Sequence, residues 1–381
     1  MITEEELFAS IRTQSDKEFP FVAYRKPGEN SVKLISQTSA ESYSGEGLDT
    51  PGFVFAAFDS LNRSLLIPMA EAEVFNCNYQ NRPVNQPVPP QPEQPMPTRN
   101  PQDQIRHEQL VQSGIDQIKN SSIDKIVLAR AEKVKVHDPD PIPIFRRLLD
   151  RYEDAFVYFW YHPETGTWMG ATPETLLHSE RNRFKTMALA GTQVYEEDVE
   201  ITWRKKEIEE QAIVTSYIDK ELQKISEVKE LKIGEPYSVK AGNLLHIRTD
   251  IHGSFDSSSA LSRIVTALHP TPAICGIPKA EALQFILQNE EIDREYYSGY
   301  LGEVQLSKEV KRNSNRRNQE NQQFASISRV SNLYVNLRCM KLEQDIAKIF
   351  VGGGITKDSN AGEEWYETVN KSVTMRRVLV K

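Results

Sequence analysis

Residues 346–376 read IAKIFVGGGITKDSNAGEEWYETVNKSVTMR. Ile346–Val351 is a short apolar run of strand length, and three glycines, Gly352–Gly354, follow it at once. Glu363–Arg376 then carries good helix formers and no proline, so the passage reads as strand, glycine turn and helix. Working back toward the N-terminus, the same mixture recurs. Lys125–Ala129 (KIVLA) and Phe156–Tyr161 have the density of strands, as does Leu333–Cys339. Gln104–Ile123 repeats Ile105, Leu110, Ile115 and Ile118 at helical spacing, and Thr202–Ile225 is a second long helical stretch. Lys279–Gln288 opens just after a proline, which favours the first turn of a helix. Strands and helices mix without a strict βαβ rhythm or a 20–50-residue repeat, which predicts an α+β fold.

The N-terminal part is different. FPFVAYRKP, SVKLISQ, GFVFAAF and RSLLIPM are short apolar or alternating runs separated by turn residues, and read as strands. They end at Asn81–Pro101, NRPVNQPVPPQPEQPMPTRNP, which holds eight of the 21 prolines. Proline fixes φ and removes a backbone donor, so this stretch is expected to be extended, as a linker or surface loop. The chain therefore divides into residues 1–80, a proline-rich segment over 81–103 and a longer part over 104–381. Lys308–Gln323, KEVKRNSNRRNQENQQ, is polar and basic with no aromatic among its charges, and reads as a solvated hairpin excursion.

Composition narrows the function. A chain of 381 residues with 39% hydrophobic and 26% charged side chains is an ordinary globular protein. Its 54 acidic against 46 basic residues give a net charge of −8, which argues against a nucleic-acid partner. No apolar run reaches the roughly 18–20 residues of a membrane span, and the start, MITEEELFAS, lacks a signal-peptide layout. Cys77, Cys275 and Cys339 are odd in number and far apart, so neither a disulfide framework nor a CxxC zinc site is expected. A cytoplasmic protein is the expectation, with no membrane and no obligate protein partner.

Candidate chemistry is scattered. Glu207 and Glu210 sit three apart on the long central helix, and Glu364, Glu367 and Lys371 share one face of the last. Such pairs are either solvated helix faces or, if brought together, an oxygen-only site suited to magnesium. Gly352–Gly354 is either a tight turn or a set of backbone amides open to an anion. Arg338, placed in the Leu333–Cys339 strand, needs a partner, for which a carboxylate is the natural one. With Lys371 and the glycine amides it would make a carboxylate-binding corner. His269 lies in the proline-clamped loop LHPTPAICGIP, where a nearby carbonyl would satisfy it equally well. Lys125 falls with Val127 and Ala129 on one strand face, where burial would favour a neutral amine and a base. Glu174, after Pro173 in GATPE, reads as an acid at the start of a helix.

Taken in order, KIVLAR, GATPETLL, ALAGT, KKEIEEQAIV, LHPTPAICGIPKAEAL, YYSGYLGEV, NLRCM, VGGGIT and EEWYETVNK resemble the chorismate-utilising enzyme family. The resemblance runs from about Ile105 to Arg376. It implies a single α+β body of two packed β-sheets with helices outside, like anthranilate synthase component I, which would absorb the N-terminal strands. Within the family, Lys125 in the KIVLAR block marks the members that use water as nucleophile. Ala190 stands where the aminodeoxychorismate synthases carry a lysine nucleophile. The LHPTPA block with His269 is similar to the isochorismate synthases more than to the salicylate synthases. One departure is Gln211, which stands where relatives usually have histidine.

The resemblance implies chorismate as substrate and Mg²⁺ as cofactor, held by Glu207, Glu210, Glu364 and Glu367. It makes Lys125 the base that activates water and Glu174 the acid for the departing hydroxyl. Ala190, Gly191, Thr192, His269, Thr271, Tyr297, Arg338, Gly352, Gly353, Gly354 and Lys371 would line the substrate site. The product would be isochorismate, for menaquinone or siderophore biosynthesis. Salicylate synthesis, an idle chorismate-binding protein and an amidotransferase-dependent subunit are the alternatives.

Overall fold

The computed structural model describes all residues except 60, 83–100, 196, 198–200, 242–243, 258–259, 311–325 and 380–381. Most of the proline-rich segment and of the Lys308–Gln323 excursion therefore lies outside the described residues. At their margins, Pro101–Asp103 belongs to a helix and Lys308–Val310 to a strand.

Two antiparallel sheets form the body. The first runs β15 (Gly276–Ile277), β7 (Lys125–Lys135), β19 (Ile346–Ile355), β18 (Cys339–Glu343), β9 (Gly166–Thr172), β8 (Phe156–His162), β1 (Phe21–Arg25), β2 (Ser31–Gln37) and β6 (Ala72–Asn78). The second runs β12 (Val228–Ile233), β14 (Leu244–Phe255), β11 (Arg183–Val194), β10 (Thr175–Glu180), β17 (Ser326–Val335), β16 (Tyr300–Val310), β4 (Gly52–Ala56), β5 (Leu65–Pro68) and β3 (Tyr43–Ser44), with β13 (Tyr237–Ala241) also on β14. The helices are α1 (Glu4–Asp16), α2 (Pro101–Lys119), α3 (Pro141–Arg151), α4 (Lys205–Gln223), α5 (Ala260–Leu268), α6 (Lys279–Asn289) and α7 (Ala361–Leu379). Strands from before the proline-rich segment take places in both sheets, so the two parts of the chain share one core.

Side-chain alternation explains the layering. Successive strand residues face opposite sides. On β8, Phe156, Tyr158 and Trp160 turn to the space between the sheets, while Val157 and Phe159 turn outward. β1 does the same with Val22 and Tyr24 against Phe21 and Ala23, and β4 with Phe53 and Phe55 against Val54 and Ala56. The inter-sheet layer is rich in aromatics: Phe55 lies 4.9 Å from Trp160 and 4.5 Å from Tyr296, ring centre to ring centre. The outer face of the first sheet is covered by apolar residues of α1, α3 and the end of α7, that of the second by α4 and α5. One buried polar pin crosses the layer. Glu303 of β16 accepts from Tyr24 Oη at 2.5 Å and pairs with Lys26 and Lys33. Burial alone would raise its carboxyl; Lys33 and Lys26 outweigh that and hold it down at about 2.

Three local expectations change. The glycine triplet is no turn: β19 continues through it to Ile355, paired with Ala129, Leu128 and Val127 of β7. Glycine can extend as readily as it turns, and here a buried partner strand decides. Arg338 is not inside a strand. It sits at a bend with φ +48° where the chain leaves β17 in one sheet and enters β18 in the other. Glu174 starts no helix; it occupies the corresponding crossing from β9 to β10. The two crossings run side by side: Val335 N donates to Glu174 O at 3.0 Å, Thr172 Oγ1 to Val335 O at 2.6 Å, and Ala171 N to Arg338 O at 3.0 Å.

Trp160 is fully buried and donates to Thr165 Oγ1 at 3.0 Å. Trp160→Ala should therefore cost about 3–5 kcal/mol of stability, read from the midpoint of urea unfolding. An unchanged midpoint would mean that the aromatic layer does not hold the sheets together.

Candidate active site

A cavity of about 80 Å³ opens beside the paired crossings and joins an outer cleft of about 260 Å³, the two sharing Thr192, Glu367 and Lys371. Its floor is the glycine stretch of β19. In an antiparallel ladder only alternate pairs exchange hydrogen bonds. Ala129 N goes to Glu290 and Val127 N to Cys275 O, so Gly352 and Gly354 turn their backbone groups away from β7. Gly352 O accepts from Lys371 Nζ at 3.0 Å. Here the lack of a side chain matters: a Cβ on Gly354 would lie 2.8 Å from Lys125 Cε and 2.9 Å from Glu210 Oε1. One on Gly353 would lie 3.3 Å from Glu364 Oε2.

The helices bring carboxylates to that floor by their N-terminal halves. Asn360 caps α7 through Oδ1 to Glu363 N at 3.1 Å, and Glu364 follows in the first turn. Glu207 stands in the first turn of α4. Helix dipoles favour acids at such positions. Each glutamate has a cation: Glu210 with Lys125 at 2.7 Å, Glu364 with Lys206 at 2.9 Å, Glu367 with Lys371 at 2.6 Å and Glu207 with Arg204 at 2.6 Å. Burial would raise Glu210, but Lys125, Lys371 and Lys206 outweigh it and leave the carboxyl below its ordinary value. Glu364 goes the other way, raised by burial and then by Glu367, and its Oε2 is buried without a partner. Among the described residues, no three His, Cys, Asp or Glu side chains are grouped to hold a metal ion.

Glu174 lines the cavity and is buried. Desolvation raises its carboxyl to about 7, against the pull of Lys125, Arg338 and Lys371. Arg338 lines the cavity too. Its half-buried guanidinium contacts Thr374 Oγ1 at 3.4 Å and His246 Nε2 at 3.5 Å. Lys125 lies one layer back, behind Glu210 and Gly354, with its ammonium on the carboxylate instead of free on an apolar face.

Ala190, Gly191 and Thr192 line the cavity from β11, as do Tyr297, Lys371 and all three glycines of β19. Gly191 has φ +68° beside a bulge in the β11–β14 pairing, and a Cβ there would come 3.1 Å from Glu207 Cβ. Of the four glutamates, Glu210 and Glu367 line the cavity, Glu364 lines the outer cleft, and Glu207 lines neither. Thr271 is buried and His269 half-buried, both outside the cavity lining. His269 packs on Tyr300 and its carbonyl takes Lys279 Nζ. Burial, then Lys279, lowers its imidazole to about 4. Gln211 fills its place as a tie: Nε2 donates to Ala188 O and Thr249 Oγ1, each at 3.0 Å, fixing α4 to β11 and β14.

Sequence reasoning missed His246 and Lys206. His246 lines the cavity from β14, its Nδ1 near Gly191 O at 3.1 Å, and burial followed by Arg338 lowers it to about 3. A histidine between apolar neighbours in LLHIRTD carries no signal of its own. Lys206 has Glu210 at helical spacing, which suggests a local pair; the structure sends it to Glu364 instead.

A buried chamber with two inward cations, Arg338 and Lys371, beside a carboxyl near neutrality defines an α+β protein built to hold a compact anion. The family model described as chorismate binding enzyme matches residues 67–310, and a second of the same description matches 326–377. The chain belongs to the chorismate binding enzymes. It is 30% identical over 268 residues to isochorismate synthase MenF of Bacillus subtilis, covering 68% of this chain and 52% of that one. The chain thus spans about half the length of the curated relatives it matches. The structure of MenF, the menaquinone-specific isochorismate synthase from Escherichia coli, superimposes with a TM-score of 0.74 at 19% identity, covering 98% and 91% of the two chains. Anthranilate synthase component I from Streptococcus pneumoniae superimposes with 0.62 at 18% identity, covering 94% and 92%. The two-sheet fold is the one these proteins share.

The atoms that a Gly354 Cβ would meet are the ends of flexible side chains, so Gly354→Ala should fold normally yet displace the Lys125–Glu210 pair. Calorimetry with chorismate should show about tenfold weaker binding or worse for this variant. Wild-type affinity would show that the bare floor is unimportant.

Proposed function

We propose that the protein is an isochorismate synthase, converting chorismate to isochorismate with Mg²⁺. The observation that carries this reading is Glu174, a carboxyl buried in the chamber and held near 7, in a lining shared with Arg338 and with Glu210, the partner of Lys125. Water would add at C2 of the ring and give its proton to Lys125. The C4 oxygen would take the proton of Glu174 and leave as water, so both protons and both oxygens balance. For this, Lys125 must first give up its own proton and its contact with Glu210. Arg338 and Lys371 would bind carboxylates of the substrate, and the amides of Gly352 and Gly354 would add donors. His246, neutral above about pH 3, would accept from Arg338 and hold its fork in place.

Magnesium fits the donor set, which is oxygen only. Glu210, Glu364 and Glu367, which are not grouped around one point in this structure, would have to leave their lysines to hold it, with Glu207 further from the cavity; Oε2 of Glu364 is buried without a partner and open to a cation. When bound, the ion would neutralise a substrate carboxylate and draw charge from the ring. The lysines now on these glutamates would be released toward the substrate.

Salicylate synthesis is the second reading. Chromatography of products decides: isochorismate supports the proposal, whereas salicylate with pyruvate would transfer it to the alternative. An amidotransferase-dependent activity is tested in the same assay, run without a partner. Menaquinone or siderophore supply follows only from the product and its neighbours in metabolism.

Glu174 must be protonated to act as an acid, and its protonated fraction falls as pH rises through about 7. Turnover should therefore decline on the alkaline side with an apparent pKa near 7. Glu174→Gln should lower kcat by roughly 10²–10⁴-fold and remove that limb. The same raised carboxyl gives folding stability that is greatest at low pH and declines between about 4.5 and 7, because the folded state retains a proton that the unfolded chain has lost. Glu367→Gln should shift the Mg²⁺ titration to higher concentration; an identical titration would remove Glu367 from the ligand set.

A further inference from the structure

We propose that Glu290 and Arg294 form a buried clamp that sets the spacing between two walls of the chamber and so positions the reacting groups; this rests on the reading just given. Both side chains are almost fully buried, and they pair twice, through Arg294 Nε to Glu290 Oε2 at 2.8 Å and an Nη2 contact to Oε1 at 2.5 Å. The guanidinium stacks 4.3 Å over the Phe58 ring. Its remaining donors reach two backbone carbonyls, Val127 O at 2.7 Å and Ile274 O at 2.9 Å. Glu290 Oε1 takes Ala129 N at 2.7 Å.

These contacts replace a missing strand. β15 pairs with β7 only at Lys125 and Ile126, and Val127 N goes to Cys275 O just beyond it. Past that point the open edge of β7 still has a carbonyl and an amide to satisfy inside the protein, which is costly to leave undone. The arginine supplies the donor and the glutamate the acceptor. Val127 lines the cavity on one side, and Ile274 lines it from the loop before β15. Tyr297, a third lining residue, donates its backbone N–H to Arg294 O at 2.8 Å. Lys125 stands two residues upstream on the clamped strand.

A buried ion pair returns little net stability compared with an apolar pair of the same shape, so geometry is the stronger account of this one. A lysine would keep the charge opposite Glu290, but one ammonium cannot fork to a carboxylate and two carbonyls together. Glu290 and Arg294 do not line the cavity themselves. They are positioning residues.

The test compares wild type, Arg294→Lys and Glu290→Gln by hydrogen–deuterium exchange and by steady-state kinetics with chorismate and Mg²⁺. In Arg294→Lys, residues 125–130 and 271–277 should exchange faster together while the rest of the protein is unchanged. The kcat should fall about 10–100-fold, with KM changed much less, since small misplacements of reacting groups act on turnover. Glu290→Gln keeps an acceptor for Ala129 N and should show the same pattern more weakly; it serves if Arg294→Lys does not fold. Wild-type exchange in both segments, or a loss of activity matched by a loss of folded protein, would overturn the clamp. A wild-type protein that forms no isochorismate overturns the functional proposal instead, and the exchange measurement still decides the clamp.

Discussion

The site depends on two chain crossings laid side by side. Thr172 Oγ1 on Val335 O and Glu174 O on Val335 N lock the passage from β9 to β10 against the passage from β17 to β18. Strand pairing on either side, β9 with β18 and β10 with β17, already brings the two passages together, and the lock fixes Glu174 beside Arg338. With it, both are carried into the space between the sheets, where water is excluded and a carboxyl is pushed toward neutrality. The left-handed bend at Arg338 is what lets its side chain leave the strand direction and enter the chamber.

Around this lock the charges are balanced locally. Four glutamates at the starts of two helices meet four cations near a strand that has no side chains for three residues. Carboxylates gathered this closely repel unless compensated, and lysines and arginine compensate them here. The same lysines would suit the carboxylates of a dianion, so a metal ion and a substrate could divide the present ion pairs between them. A protein of net charge −8 places Arg338 and Lys371 in the pocket lining in this way without becoming basic.

Much of the outline was legible in the chain. The α+β class followed from the mixed periods, and the long helices at Pro101–Lys119, Lys205–Gln223 and Ala361–Leu379 lie within a few residues of the expected spans. The apolar alternation of β8 and β1 already contained the inter-sheet layer. The errors were local and had one cause. Gly352–Gly354, Arg338 and Glu174 were each given the conformation that their immediate neighbours favour, and each takes another because a partner more than a hundred residues away fixes it.

Residue types, spacing and the resemblance they carry singled out the candidates by themselves: the paired glutamates on helices, Lys125, the acid after Pro173 and the glycine triplet. Only the tertiary structure decided what each one touches. Lys125 meets Glu210 across 85 residues, Lys206 turns from its helical neighbour to Glu364, and His246 and Arg294 make contacts that no local pattern announces. The physical reason is that periodicity reports which face of an element is buried. Desolvation, ion pairing and the choice of hydrogen-bond partner depend on which other element comes to cover that face.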